Sequence, residues 1–182
     1  QTVFAPMPLG PFFHLAQCDG YPEDRQAVCE LLRRRPNPVV CTGDIHAAGV
    51  ARLHHDLEDI ASERIGTELV GTSVSSTFPA DLVDAAEGLI APLPWIDYVN
   101  PRQRGYTVVD VTAGKLVATY KVVSDTSVPD GTISVAHVVE VDARTGTNPP
   151  PTTSTTTPAP PSSRPPAAHP AAPLTGGPRY TG

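Results

Sequence analysis

Long apolar runs are missing from this 182-residue sequence. Nothing in it approaches the roughly 18 consecutive apolar residues that a membrane-crossing helix takes, so no transmembrane helix is expected. Cysteine is scarce as well: Cys18, Cys29 and Cys41 are odd in number and show no CxxC spacing. That excludes a disulfide framework and a zinc knuckle as organising devices. The chain opens at Gln1 within QTVFAPMPL, with no initiator Met and no basic segment leading into an apolar core and cleavage site. No targeting signal is read there, and an opening like the middle of a strand is expected to have had chain before it. Acidic residues stop before Thr147: all 19 lie in the first 146 residues with 11 of the 13 basic ones, a net charge of −8. An acidic surface disfavours nucleic-acid binding. It would also repel a phosphate ester, unless bound cations supply local positive charge.

Residues 1–146 amount to one domain's length. Residues 147–182 hold eleven of the 22 prolines, with Thr, Ser and Ala around them. Such a segment cannot bury enough apolar surface to offset the entropy of ordering it, and is expected to be a disordered, proline-stiffened tail. Tracts of this kind occur as wall-spanning or glycosylated stalks of exported proteins and also as plain disordered ends.

Within the domain, Pro22 opens PEDRQAVCELLRRR, with acids first and arginines last, a charge order that suits the helix dipole. The spacing puts Ala27, Val28, Leu31 and Leu32 on one face, and Cys29 is expected in the core. After PNP comes VVCT, read as a strand covered on both faces, with Cys41 at its buried end. GTELVGTSVSS reads as a second strand, and PADLVDAAEGLIAPL has helical spacing. GYTVVDV, TAGK and LVATYKVV read as a β-hairpin, with TISVAHVVEV as a further strand. His54 and His55 follow a plausible helix start and are expected to face solvent. The layout is α/β passing into a β-rich end.

VVCT runs into GDIH. In open α/β sheets ligands gather where strands end, because loops there aim side chains from a fixed backbone. Gly43 would permit a tight turn or close approach. Asp44 offers an anionic oxygen and His46 a neutral nitrogen, and in extended backbone residues two apart point to one side, with Ile45 toward the core. Mixed O and N donors suit iron, manganese or zinc. The same pattern also serves as a helix N-cap with a surface histidine, and the six to eight ligands of a dinuclear centre are not visible.

Four blocks in order, DGYPEDRQAV, NPVVCTGDIHAAGVA, VGTSVSS and RQRGYTVVDVT, make residues 1–141 resemble the C-terminal half of PhoD-like (alkaline phosphatase D) phosphatases. Their pattern runs approximately WDGY…R, VVLTGDxH, TE(F/L)VGTSxSS and RGY. The resemblance implies an α+β sandwich of the metallophosphoesterase type and an exported phosphomonoesterase or phosphodiesterase with a calcium and iron (Fe3+) site. Asp44 and His46 would be metal ligands there, the others coming from an N-terminal half of the same polypeptide. Metal cations would neutralise phosphoryl oxygens and activate the attacking water. Glu68 is a candidate support for the site, and Arg104, Ser73 and Ser76 are candidate contacts to the phosphate ester. A secreted or cell-surface location follows from family and tail. Two positions depart from the pattern, where Cys18 and Gly49 replace tryptophans. The alternatives are a non-catalytic phosphatase-like surface protein binding phosphorylated polymers, and a small module holding a single metal.

Overall fold

The computed structural model describes residues 2–7, 18–56 and 59–143. The expectation placed on the tail at 147–182 lies outside the described residues. Helix α1 spans Pro22–Arg33, with Pro22 in its first turn beside Glu23 and Asp24, and Arg33 in its last. It ends with Arg34 as its cap, and Asn37, between two prolines a few residues on, takes a left-handed conformation. The buried stripe is not the expected one. Arg25, Cys29 and Leu32, spaced i, i+4, i+7, face inward, while Ala27, Val28 and Leu31 are exposed. Arg25 is admitted because Asp19 pairs with it there, and Asp19 also accepts the Met7 N–H at 3.0 Å. Cys29 is fully buried, as expected, and burial pushes its thiol up to about 11.

Four strands form a mixed sheet in the order β1-β3-β2-β4: β1 Val39–Thr42, β2 Ala48–His54, β3 Arg64–Val70 and β4 Ile96–Asn100. β1 runs parallel to β3, and the other pairs are antiparallel. β1 is the outer strand of this sheet and is covered on both faces as expected, Val40 packing on one side and Val39 on the other, but Cys41 is exposed, against expectation. β2 and β4 were not expected; β2 takes up the residues after the motif, so His54 is buried at a strand end rather than facing solvent. Pairing steps from Leu53↔Gly66 to His54↔Arg64, which makes Ile65 the extra residue of a bulge and turns it into the core beside Leu53. β3 stops at Val70, short of the expected end, because Thr72 and Ser73 spend their hydroxyls on nearby carbonyls.

Ala80–Leu82 forms a 3-10 turn leading into α2, Val83–Ile90. The expected hairpin is present as β5 Gly105–Val111 and β6 Lys115–Val123, and β7 Ile133–Asp142 joins β6 to complete a second, antiparallel sheet. The two sheets meet through Ala48, Val50 and Leu69 on one side and Ala118, Tyr120 and Val139 on the other. The Tyr120 hydroxyl crosses this interface to the Gly49 carbonyl at 2.7 Å, satisfying a buried polar group. The opposite face of the first sheet packs Ala51 and Leu53 against Cys29, Phe4 and Ala5. The result is three layers, one helical and two of sheet. Among the described residues no helix is long and apolar enough to cross a membrane.

Candidate functional site

The connection from β1 to β2 is five residues, Gly43 to Ala47, and it is not extended. Asp44 has φ 78° and His46 φ 58°. Left-handed backbone in non-glycine residues costs on the order of 1 kcal/mol or more each and collects at functional sites. The same-side placement expected of an extended chain therefore does not hold, and Ile45 between them is only half-buried. Gly43 is not the strained position. A Cβ there would meet only the Gly71 carbonyl, at an ordinary 3.5 Å.

Asp44 is exposed and His46 half-buried. His46 Nδ1 lies 3.2 Å from the Thr77 carbonyl oxygen. A carbonyl only accepts, so this contact puts the proton on Nδ1 and the lone pair of the neutral ring on Nε2, the form in which histidine binds a cation. The His46 carbonyl in turn accepts from Thr72 Oγ1 at 3.3 Å. One short loop therefore holds both the ring and the backbone of this residue.

Glu68 lies in β3, fully buried, and its carboxylate accepts from Phe4 N and Ala5 N, each at 2.7 Å, and from Thr42 Oγ1 at 2.5 Å. Burial pushes its pKa up, and these three donors pull against that rise. Its grip is on Thr42, two residues ahead of Asp44, and it fastens residues 4–5 to the strand that delivers the motif. Ser73 is engaged within its own loop, donating to the Ser76 carbonyl. Its own carbonyl receives Gly105 N at 3.0 Å. Arg104 gives Nη1 to the Arg102 carbonyl at 3.3 Å, and its Nε is buried without a hydrogen-bond partner. The loop after β3 is thus brought against both the motif and the RGY segment.

Thr42, Thr72 and Thr77 were not identified from sequence. The first two act through hydroxyls with no distinguishing spacing, and Thr77 acts through a carbonyl, which any residue carries. Among the described residues no group of three or more His, Cys, Asp and Glu side chains is placed to hold a metal ion. What Asp44 and His46 present fits part of a mixed oxygen and nitrogen ligand set.

Fold and site define a class: a layered α/β domain that offers a carboxylate and an imidazole just past a parallel strand. Comparison with known proteins makes this particular. The profile of the family described as PhoD-like phosphatase matches residues 6–120, and the chain belongs to that family. It is 33% identical over 141 residues to alkaline phosphatase D of Bacillus subtilis (strain 168), covering 74% of this chain and 24% of that protein. A solved structure described as that of PhoD superposes with a TM-score of 0.71 at 28% identity, over 86% of this chain and 31% of the other. The chain spans about a quarter of the curated relative's length.

Proposed function

We propose that this chain supplies Asp44 and His46 to the metal site of a phosphoric ester hydrolase of the alkaline phosphatase D type. The remaining ligands would come from polypeptide corresponding to the three-quarters of the relative that this chain does not span. The observation that carries the proposal is the paired left-handed backbone of Asp44 and His46, combined with the Thr77 carbonyl on His46 Nδ1. Metal-binding histidines characteristically donate their second ring nitrogen to such an acceptor.

A calcium and iron pair, as the family resemblance suggests, would supply charge neutralisation at the phosphoryl oxygens and a more acidic water. Asp44 contributes an anionic oxygen. His46 contributes Nε2, and the buried Glu68 to Thr42 bond holds the strand from which both are presented. The net negative charge of the domain makes cations at the site a requirement for attracting a phosphate ester. Export to the cell surface is part of the same proposal.

The test is hydrolysis of a chromogenic phosphomonoester and of a bis-ester by the full-length polypeptide, with calcium and iron supplied. Asp44→Ala is expected to lower turnover at least about 100-fold, in line with losing a ligand or its support. Unchanged turnover would remove Asp44 from the site and the proposal with it.

A further inference from the structure

We infer that Thr72 is a positioning residue for His46, and that through it the turn at residues 100–103 sets the geometry of the motif histidine. The inference rests on the metal-site reading above and adds to it the part that holds the ligand in place.

Three hydrogen bonds converge on the loop after β3. Thr72 Oγ1 lies 3.3 Å from the His46 carbonyl and 3.2 Å from the Gln103 carbonyl. A hydroxyl has one proton, so it is shared between two acceptors that belong to different parts of the fold. The third bond runs from Gly105 N, the first residue of β5, to the Ser73 carbonyl at 3.0 Å.

The Gln103 acceptor is itself fixed. Asn100 Oδ1 accepts from Arg102 N at 3.0 Å and Gln103 N at 3.1 Å, and Asn100 Nδ2 donates to Gln103 Oε1 at 3.0 Å. Asn100 sits opposite Ala48, two residues past His46, in the β4 to β2 ladder. A closed circuit of contacts therefore runs from His46 through Thr72 to the turn at 100–103, and back along β2.

His46 needs such a circuit because its φ of 58° is not one the residue holds without support. Thr72 fixes the peptide that follows His46, and Thr77, five residues further along the same loop, fixes Nδ1 of the ring. Neither contact alone determines where Nε2 points. Outer contacts of this kind set ligand orientation, and their loss weakens metal binding about 10- to 100-fold.

The experiment compares wild type, Thr72→Val and Thr72→Ser in the full-length polypeptide, with Asp44→Ala as a control. Valine keeps the shape and removes the hydroxyl, whereas serine keeps the hydroxyl. Nitrogen-15 NMR of labelled histidine in the metal-free protein reads the His46 tautomer, and free Mn2+ counted by electron paramagnetic resonance gives the affinity.

Wild type and Thr72→Ser are expected to show His46 protonated on Nδ1. Thr72→Val is expected to lose that signature and to bind Mn2+ about tenfold more weakly. A Thr72→Val protein with the wild-type tautomer overturns the inference, whatever the metal result. So does a Thr72→Ser protein as impaired as Thr72→Val, because the hydroxyl would then not be what matters. If instead Asp44→Ala leaves Mn2+ affinity unchanged, the metal-site reading fails, and the tautomer still judges Thr72 separately.

Discussion

Replacing Gly105 with alanine is the sharpest test of how β5, β6 and the site loop are joined. A Cβ at this position would lie 1.9 Å from the Lys121 carbonyl oxygen and 2.9 Å from both the Lys121 carbonyl carbon and Val122 Cα. All three are backbone atoms, so no side chain can swing aside. Real Cβ contacts essentially never fall below 3.0 Å, so the β5–β6 pairing would have to open by about 1.1 Å. Overpacking of this kind costs roughly 1–3 kcal/mol. The same movement strains the bonds from Gly105 N to the Ser73 carbonyl, 3.0 Å, and from Val123 N to the Arg104 carbonyl, 2.9 Å, each contributing about 1 kcal/mol. The expected loss is about 3–5 kcal/mol, a large share of the 5–15 kcal/mol by which domains are typically stable. Gly88 supplies the control. It lies in α2 with nothing within 4 Å of a Cβ, so alanine there should gain about 0.5–1 kcal/mol of helix stability. Urea unfolding of both variants reads the difference: a midpoint lowered by on the order of 2 M for Gly105→Ala, at ordinary slopes, and slightly raised for Gly88→Ala. Equal midpoints for Gly105→Ala and wild type would refute the close approach of β5 and β6.

Glu68→Ala leaves the Phe4 and Ala5 amides and the Thr42 hydroxyl without their buried acceptor. It should cost about 2 kcal/mol or more and speed hydrogen exchange at Phe4 and Ala5; unchanged exchange at those two amides would count against the clamp. Because burial raises the Glu68 pKa, the native state binds its proton more tightly than the unfolded state. Wild-type stability relative to Glu68→Ala should therefore fall as pH rises through the interval above the ordinary value of 4.5, and a flat difference would contradict the shift. Tyr120→Phe removes the hydroxyl that bonds the Gly49 carbonyl across the sheet interface while keeping the ring, and should lower stability by about 1–2 kcal/mol in thermal unfolding.

Much of the fold was legible because hydrophobic period reports it directly. The hairpin of β5 and β6, the strand β7 and both helices follow from alternation or helical spacing. The failures share a cause in tertiary context. α1 buries Arg25 instead of Val28 because Asp19 is there to neutralise it, and no periodicity carries that pairing. β2 was missed because AGVARLH is short in apolar side chains, yet it is nearly all buried between its neighbours β3 and β4. VVCT is covered on both faces through Val39 and Val40, but the exposure of Cys41 depends on what lies beyond the end of the strand, which no local pattern states.

The site divides in the same way. Asp44 and His46 were visible as residue types at a strand end, whereas several of the contacts that shape them run through backbone. Thr77 contributes a carbonyl, Ser73 a carbonyl, and Gly105 an amide and the absence of a side chain. Such contributions leave no residue-type signal in one sequence except at glycine. Three sequence blocks that lie apart along the chain nevertheless meet around one histidine. GDIH is held by GTSVSS through Thr72, GTSVSS is held by RGY through Gly105, and the strand entering GDIH is held by Glu68. The spacing of these blocks is thus a consequence of the contacts among them. Loosening any one should be felt first at His46, because it combines a left-handed backbone with bonds at both its carbonyl and its ring.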